Sequence, residues 1–171
     1  MPDNEKKVPY PSKCWPDDRD WLDGKTELQI PPSSALRAYW DADLTDAFGI
    51  PPGSIISVQD PFNVRFRVEL VGDLWHCICG SWCFDFMFTA IGEGPDFNLS
   101  SKLPAGALDK KDWEGCKEMC IDLPYTVPAG TVPADACGTL YDVGAKFALR
   151  CCEGDRAIVV GYENHSRIEF Y

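Results

Sequence analysis

The run Phe62-Asn63-Val64-Arg65-Phe66-Arg67-Val68-Glu69-Leu70 alternates apolar and polar residues at every step. A β-strand turns successive side chains to opposite faces, so this run specifies a strand with one buried and one wet face. A helix would scatter the same residues around its circumference. Two further runs share the period. Trp82, Phe84, Phe86, Phe88 and Ala90 fall on one face of residues 82–91, and Tyr141, Val143, Ala145, Phe147, Leu149 and Cys151 on one face of residues 140–152. Gly72-Asp73, Gly80-Ser81, Gly92-Glu93-Gly94-Pro95, Pro128-Ala129-Gly130 and Glu153-Gly154-Asp155 supply the turns. Residues 74–79, 121–127, 156–162 and 167–171 read as shorter strands, with Pro124 confining 121–127 to a sheet edge. Short strands with frequent turns predict an all-β chain, an antiparallel immunoglobulin-like β-sandwich.

The sandwich is expected to span residues 51–171, with an insertion at 97–120 whose short helix, begun by Asp109, carries Trp113, Cys116 and Cys120. Residues 1–50 are expected to add a proline-rich arm and a helix. Pro2, Pro9, Pro11, Pro16, Pro31 and Pro32 interrupt regular structure in the arm, while Trp15, Trp21 and Leu22 can anchor it. Ser34 can cap a helix in which Leu36, Tyr39, Trp40, Leu44 and Phe48 recur at helical spacing, with Gly49 and Pro51 ending it.

A domain of 171 residues can bury roughly 70% of the surface its unfolded chain exposes. Its nine cysteines are therefore not needed to make a core. Cys77, Cys79, Cys83, Cys116, Cys120, Cys137, Cys151 and Cys152 form a candidate disulfide or thiol cluster, with Cys14 apart in the arm. Cys77 and Cys79 share a strand face, and Cys116 and Cys120 one face of the expected helix. Three readings stay open: disulfides joining the insertion helix to the strands around Cys77 and Cys151, a metal site, or buried thiols. Cys116-x3-Cys120 matches a zinc knuckle only loosely, and no metal or cofactor is assigned.

The sequence carries no G-x-S-x-G, P-loop, G-x-G-x-x-G or H-E-x-x-H pattern. His76 and His165 are its two imidazoles, and no spacing pairs either with a nucleophile. No catalytic residue is assigned. Asp17-Asp18, Asp41-Asp43 and Asp135 read as solvated surface, since Asp41 and Asp43 would diverge on the helix. A formal net charge of -11 repels nucleic acid. No apolar stretch approaches the ~17 residues of a spanning helix, and the N-terminus shows no secretory signal. The expectation is a chain without a transmembrane segment, cytoplasmic or released with an assembly. Asn98-Leu99-Ser100 and Asn164-His165-Ser166 match glycosylation sequons in expected loops.

Val68-Glu69-Leu70-Val71-Gly72, Gly80-Ser81-Trp82, Ala90-Ile91-Gly92-Glu93-Gly94-Pro95-Asp96, Tyr125-Thr126-Val127-Pro128-Ala129-Gly130, Gly138-Thr139-Leu140-Tyr141 and the terminal Ile168-Glu169-Phe170-Tyr171 resemble a group of small bacterial β-sandwich proteins. That group shows a G-x-W strand, an I-G-x-G turn, a V-P-A-G turn and a terminal F-Y, and is associated with loci of contractile injection systems. The resemblance covers residues 55–171. Ala90 where a Ser is usual, the strand cysteines and the 97–120 insertion depart from it. It implies a fold and an assembly role, and no reaction.

Together these features predict a non-catalytic structural or interaction subunit with protein partners, or self-association, through the N-terminal arm and edge strands. The last strand is expected at a sheet edge, where a partner strand can add. The alternative is a cysteine-based metal-binding or thiol-redox protein. A third reading is a sugar or small-ligand binder using exposed Trp75 or Trp113.

Overall fold

The computed structural model describes Cys14 and residues 25–28, 37–50, 55–151 and 157–171. Among the described residues ten strands run in chain order: β1 (Lys25–Leu28), β2 (Arg37–Thr45), β3 (Ile55–Ile56), β4 (Phe62–Val71), β5 (Cys79–Ala90), β6 (Phe97–Asn98), β7 (Asp109–Glu114), β8 (Cys120–Val127), β9 (Thr139–Cys151) and β10 (Ala157–Phe170). A seven-stranded sheet has the order β1-β10-β9-β5-β6, with β3 also against β10 and β7 against β5; a three-stranded sheet has the order β2-β4-β8. Every pairing is antiparallel except β3 with β10. The chain is all-β, and the described residues hold no α-helix, only two 3-10 turns at Trp75–Cys77 and Leu99–Lys102.

The alternating runs form the strands they specify. Phe62, Val64, Phe66, Val68 and Leu70 of β4 are buried, as are Trp82, Phe84, Phe86 and Phe88 of β5 and Tyr141, Val143, Ala145, Phe147 and Leu149 of β9. Aromatic rings of the two sheets meet: Phe66 stacks on Phe84 at 4.9 Å, and Trp40 meets Phe147 edge-on at 4.9 Å. Each buried aromatic side chain stabilises by about 1.5–3 kcal/mol, and well-placed ring pairs add about 0.5–1.5 kcal/mol. The packing is close enough that a Cβ at Gly161 would overlap the Phe147 ring, which explains a glycine inside β10.

Five expectations are corrected. The helix proposed from Ser34 to Phe48 is strand β2 over Arg37–Thr45, paired with β4 along its length. Ala38, Trp40, Ala42 and Leu44 bury its inner face. Trp40 and Leu44 satisfy both periods, and the small alanines hid the alternation. Residues 75–77, expected in a strand, form a 3-10 turn. The insertion contains no α-helix at Asp109: β7 forms there and pairs with the open side of β5. The Asp109-Lys110-Lys111-Asp112 run has no apolar face for a helix to bury, whereas pairing with β5 satisfies its backbone.

The two terminal strands are one, β10, with a register shift between Asn164 and Ser166 where a turn was expected. This strand is flanked by β9 on one side and, at residues 159–162 and 169–170, by β1 and β3 on the other, so its C-terminal end is not a free sheet edge. Pro124 does lie on an edge strand, since β8 pairs with β4 and no other described strand.

Candidate functional site

The registers assemble one pole of the molecule from distant segments. Thr45 faces Asn63, Phe62 faces Val127, Ala90 faces Tyr141, and Phe170 faces Thr139, so these strand ends lie together. Phe62 and Phe170, one from each sheet, touch there at 5.7 Å. Among the described residues eight large hydrophobic side chains are exposed, and six of them, Phe48, Ile50, Ile55, Ile91, Leu140 and Tyr171, belong to this pole. Leu74 and Tyr162 lie elsewhere. Phe48 is 88% exposed, although the helical spacing placed it on a packed face. The charged residues of the pole segments 46–50, 55–61, 91–96, 128–138 and 169–171 are Asp46, Asp60, Glu93, Asp96, Asp135 and Glu169, with no Lys or Arg among them. The pole is apolar and acidic.

Its loops are braced. The Asp46 carboxylate accepts hydrogen bonds from the Phe48 and Ile50 N–H groups, both at 2.9 Å, and Gly49 takes a φ of 78°. This closed turn holds Phe48 outward. Asp96 accepts from the Ala90 N–H at 2.8 Å, and Asp135 from the Cys137 N–H at 2.8 Å. The Val58 N–H donates to the Tyr171 carbonyl at 2.9 Å, and the Gly130 N–H to the Val58 carbonyl at 2.7 Å, tying the C-terminal residue into the loops. A cleft of about 490 Å³ adjoins the pole, lined by Asp43, Thr45, Gly49, Asn63, Tyr125 and Thr126 among others.

Below the pole, the outer face of the β2-β4-β8 sheet carries a charge ladder. Asp41 and Asp43, expected to be solvated and divergent on a helix, share one face of β2. Arg67, only 6% exposed, reaches both, with Nη2 at 2.7 Å from Asp41 and 3.3 Å from Asp43. Arg65 holds Asp122 through two bonds of 2.8 and 2.6 Å. Burial raises the Asp41 carboxyl from 3.8 to about 6, with the hydrogen bond from Arg67 opposing the rise and the charge of Asp43 adding to it. A carboxyl whose folded-state value lies above its unfolded value holds its proton longer in the native chain, so stability falls as pH rises between about 4 and about 6. Asp41→Asn should therefore equal the wild type near pH 4 and exceed it at neutral pH by on the order of 2 kcal/mol. Urea unfolding across that pH range checks this; a variant less stable at pH 7 would contradict it.

Cys14 crosses to the same face. It is disulfide-bonded to Cys120 at the start of β8, and its N–H donates to the fully buried Glu69 at 3.4 Å. Cys14 lay outside the candidate cluster. Of the cluster, Cys120 takes this bond, and Cys79 is also disulfide-bonded. Cys77, Cys83, Cys116 and Cys137 are free thiols. Cys77, Cys79, Cys116, Cys120 and the backbone of Cys151 gather at the pole opposite the loops, where β5 and β8 begin and β9 ends. Cys83 is half-buried within β5, and burial pushes its thiol pKa up, with Asp109 adding to the rise. Cys137 is exposed at the loop pole. Cys152 lies outside the described residues, as do Asp17, Asp18 and most of the arm. Cys116 and Cys120 share no helix face, since no helix is there.

Among the described residues no group of three or more His, Cys, Asp or Glu is arranged to hold a metal ion. His165 packs edge-on against Phe86 at 5.9 Å, and burial lowers its pKa against the pull of Asp43. Trp113, expected as an exposed ligand platform, is buried, its indole N–H donating to the Glu118 carbonyl at 2.8 Å. Trp75 is half-buried beside His76. The sequons lie in strand context: Asn98 ends β6, and Asn164 sits within β10, accepting a bond from the Tyr162 hydroxyl at 2.6 Å.

No family model matches the chain, and no curated protein matches it in sequence. Four solved chains match it in structure. One, the C-terminal domain of wzt, aligns with a TM-score of 0.50 at 10% identity, covering 87% of this chain and 78% of that one. This likeness concerns the fold alone and fits an all-β chain. No helix among the described residues is long and apolar enough to cross a membrane.

Proposed function

We propose that this protein is a non-catalytic interaction module, an immunoglobulin-like β-sandwich that grips a partner protein with its loop pole. The observation that carries the reading is the concentration of exposed Phe48, Ile50, Ile55, Ile91, Leu140 and Tyr171 at one end, on loop segments that carry carboxylates and no Lys or Arg. Apolar groups exposed together on braced loops mark interaction surfaces. The acidic charge selects the occupant: a protein surface with an apolar centre and Lys or Arg around it. A second copy of the chain is disfavoured there, because two such poles repel. The ring contacts between the two sheets support the sandwich, and the resemblance of residues 55–171 to injection-system-associated proteins supports a partner within a larger assembly.

Selection of peptides from a displayed random library on the intact protein tests the reading. The selected peptides should carry Lys or Arg beside aromatic or branched apolar residues, and their binding should weaken at high salt. A Phe48→Ser/Ile50→Ser variant, altered only at exposed positions, should lose about tenfold or more in affinity. Peptides without basic residues, or binding indifferent to both substitutions, would overturn it.

A further inference from the structure

We propose that Cys77 and Cys116 form a reversible dithiol–disulfide pair, a redox-modification site at the pole opposite the loops. This site is independent of the interaction role. The β5–β7 ladder sets Gly80 against Trp113 and Cys79 against Glu114. The Gly115 N–H extends it one step by donating to the Ile78 carbonyl at 2.8 Å, which brings the residues just beyond it, Cys77 ending a 3-10 turn and Cys116 in the turn after β7, to the same end of the ladder. The approach is close: a Cβ at Gly115 would overlap the Trp75 carbonyl.

The Cys116 Sγ lies 3.8 Å from Glu114 Oε2. Cys77, Cys79, Glu114 and Cys116 all line one cavity of about 540 Å³. Both free thiols are exposed, so a small reagent reaches them, whereas the third sulfur, that of Cys79, is already disulfide-bonded. The segment bearing Cys116 is held in place by the Trp113 indole on the Glu118 carbonyl at 2.8 Å and by Lys110 on the Glu118 carboxylate at 2.5 Å.

The oxidant is a low-molecular-weight disulfide. One thiolate attacks it, forming a mixed disulfide and releasing one small thiol. The second thiolate then attacks the protein sulfur of that mixed disulfide, so the Sγ–Sγ bond forms and a second small thiol leaves. Two electrons pass from the protein to the reagent, and the two thiol protons end on the released thiols.

The full-length protein is incubated with oxidised glutathione, quenched by alkylation, digested without reduction and mapped by mass spectrometry. A peptide linked through Cys77 and Cys116 should appear, and both residues should leave the alkylated fraction together. The Cys116→Ser variant should retain Cys77 as a stable glutathione adduct. Separate glutathione adducts on Cys77 and Cys116 in the wild type, linkage of either to Cys79, or no reaction at either would overturn the pair.

Discussion

Replacing Arg67 with Met is expected to destabilise the protein by about 3–5 kcal/mol at neutral pH, the usual loss when one partner of a buried ion pair is removed. Arg67 is buried between Asp41 and Asp43 on the outer face of the three-stranded sheet. Its removal leaves two like charges on one strand face, with Asp41 mostly out of solvent. The Asp41 carboxyl, already raised to about 6, loses the hydrogen bond that lowers it. A raised carboxyl destabilises the fold only once it must ionise, so the deficit should grow as pH climbs through and beyond 6 and shrink toward pH 4. Urea unfolding of both proteins at several pH values reads this directly. A deficit below about 1 kcal/mol with no pH dependence is the result for a solvated surface pair. Arg65 and Asp122, the exposed pair beside it, should behave that way.

Opening the Cys14–Cys120 bond by Cys14→Ser should lower unfolding stability by about 2–4 kcal/mol. The bond closes a sequence separation of 106 residues, and its loss returns entropy to the unfolded chain. A second effect follows locally. Cys14 donates its N–H to Glu69, a carboxylate with no solvent exposure, and releasing this contact lets water reach the outer face of β4. Hydrogen exchange should therefore accelerate at residues 66–70 and 120–123 while the β5 and β9 amides stay protected. Uniform acceleration across both sheets would show that the bond supports the whole fold, not that face.

The strands that bury large residues were legible because a period of two is written in their side chains: Phe66, Phe84 and Phe147 need no other context. Strand β2 was not, because Trp40 and Leu44 fit either period and the deciding residues, Ala38 and Ala42, carry little hydrophobic signal. Pairing with β4 along nine registered positions outweighed the local helical preference. The flanked position of β10 was hidden for a different reason. Its neighbours β1 and β3 come from the first third of the chain, and such long-range pairing leaves no local trace. The Cys14–Cys120 connectivity shares that obstacle. The loop pole was the least legible feature, since Phe48, Ile91, Leu140 and Tyr171 are strewn along the sequence and acquire meaning only when the registers bring their strand ends together.

The proposed function places the partner on the loop pole. It is tested most directly by titrating isotope-labelled protein with a basic, aromatic peptide from the selection and mapping amide chemical-shift changes. The changes should concentrate in residues 46–50, 55–61, 91–96, 128–138 and 169–171 and fade in the Phe48→Ser/Ile50→Ser variant. Changes confined to the cysteine pole or to the outer face of the β2-β4-β8 sheet would contradict the account.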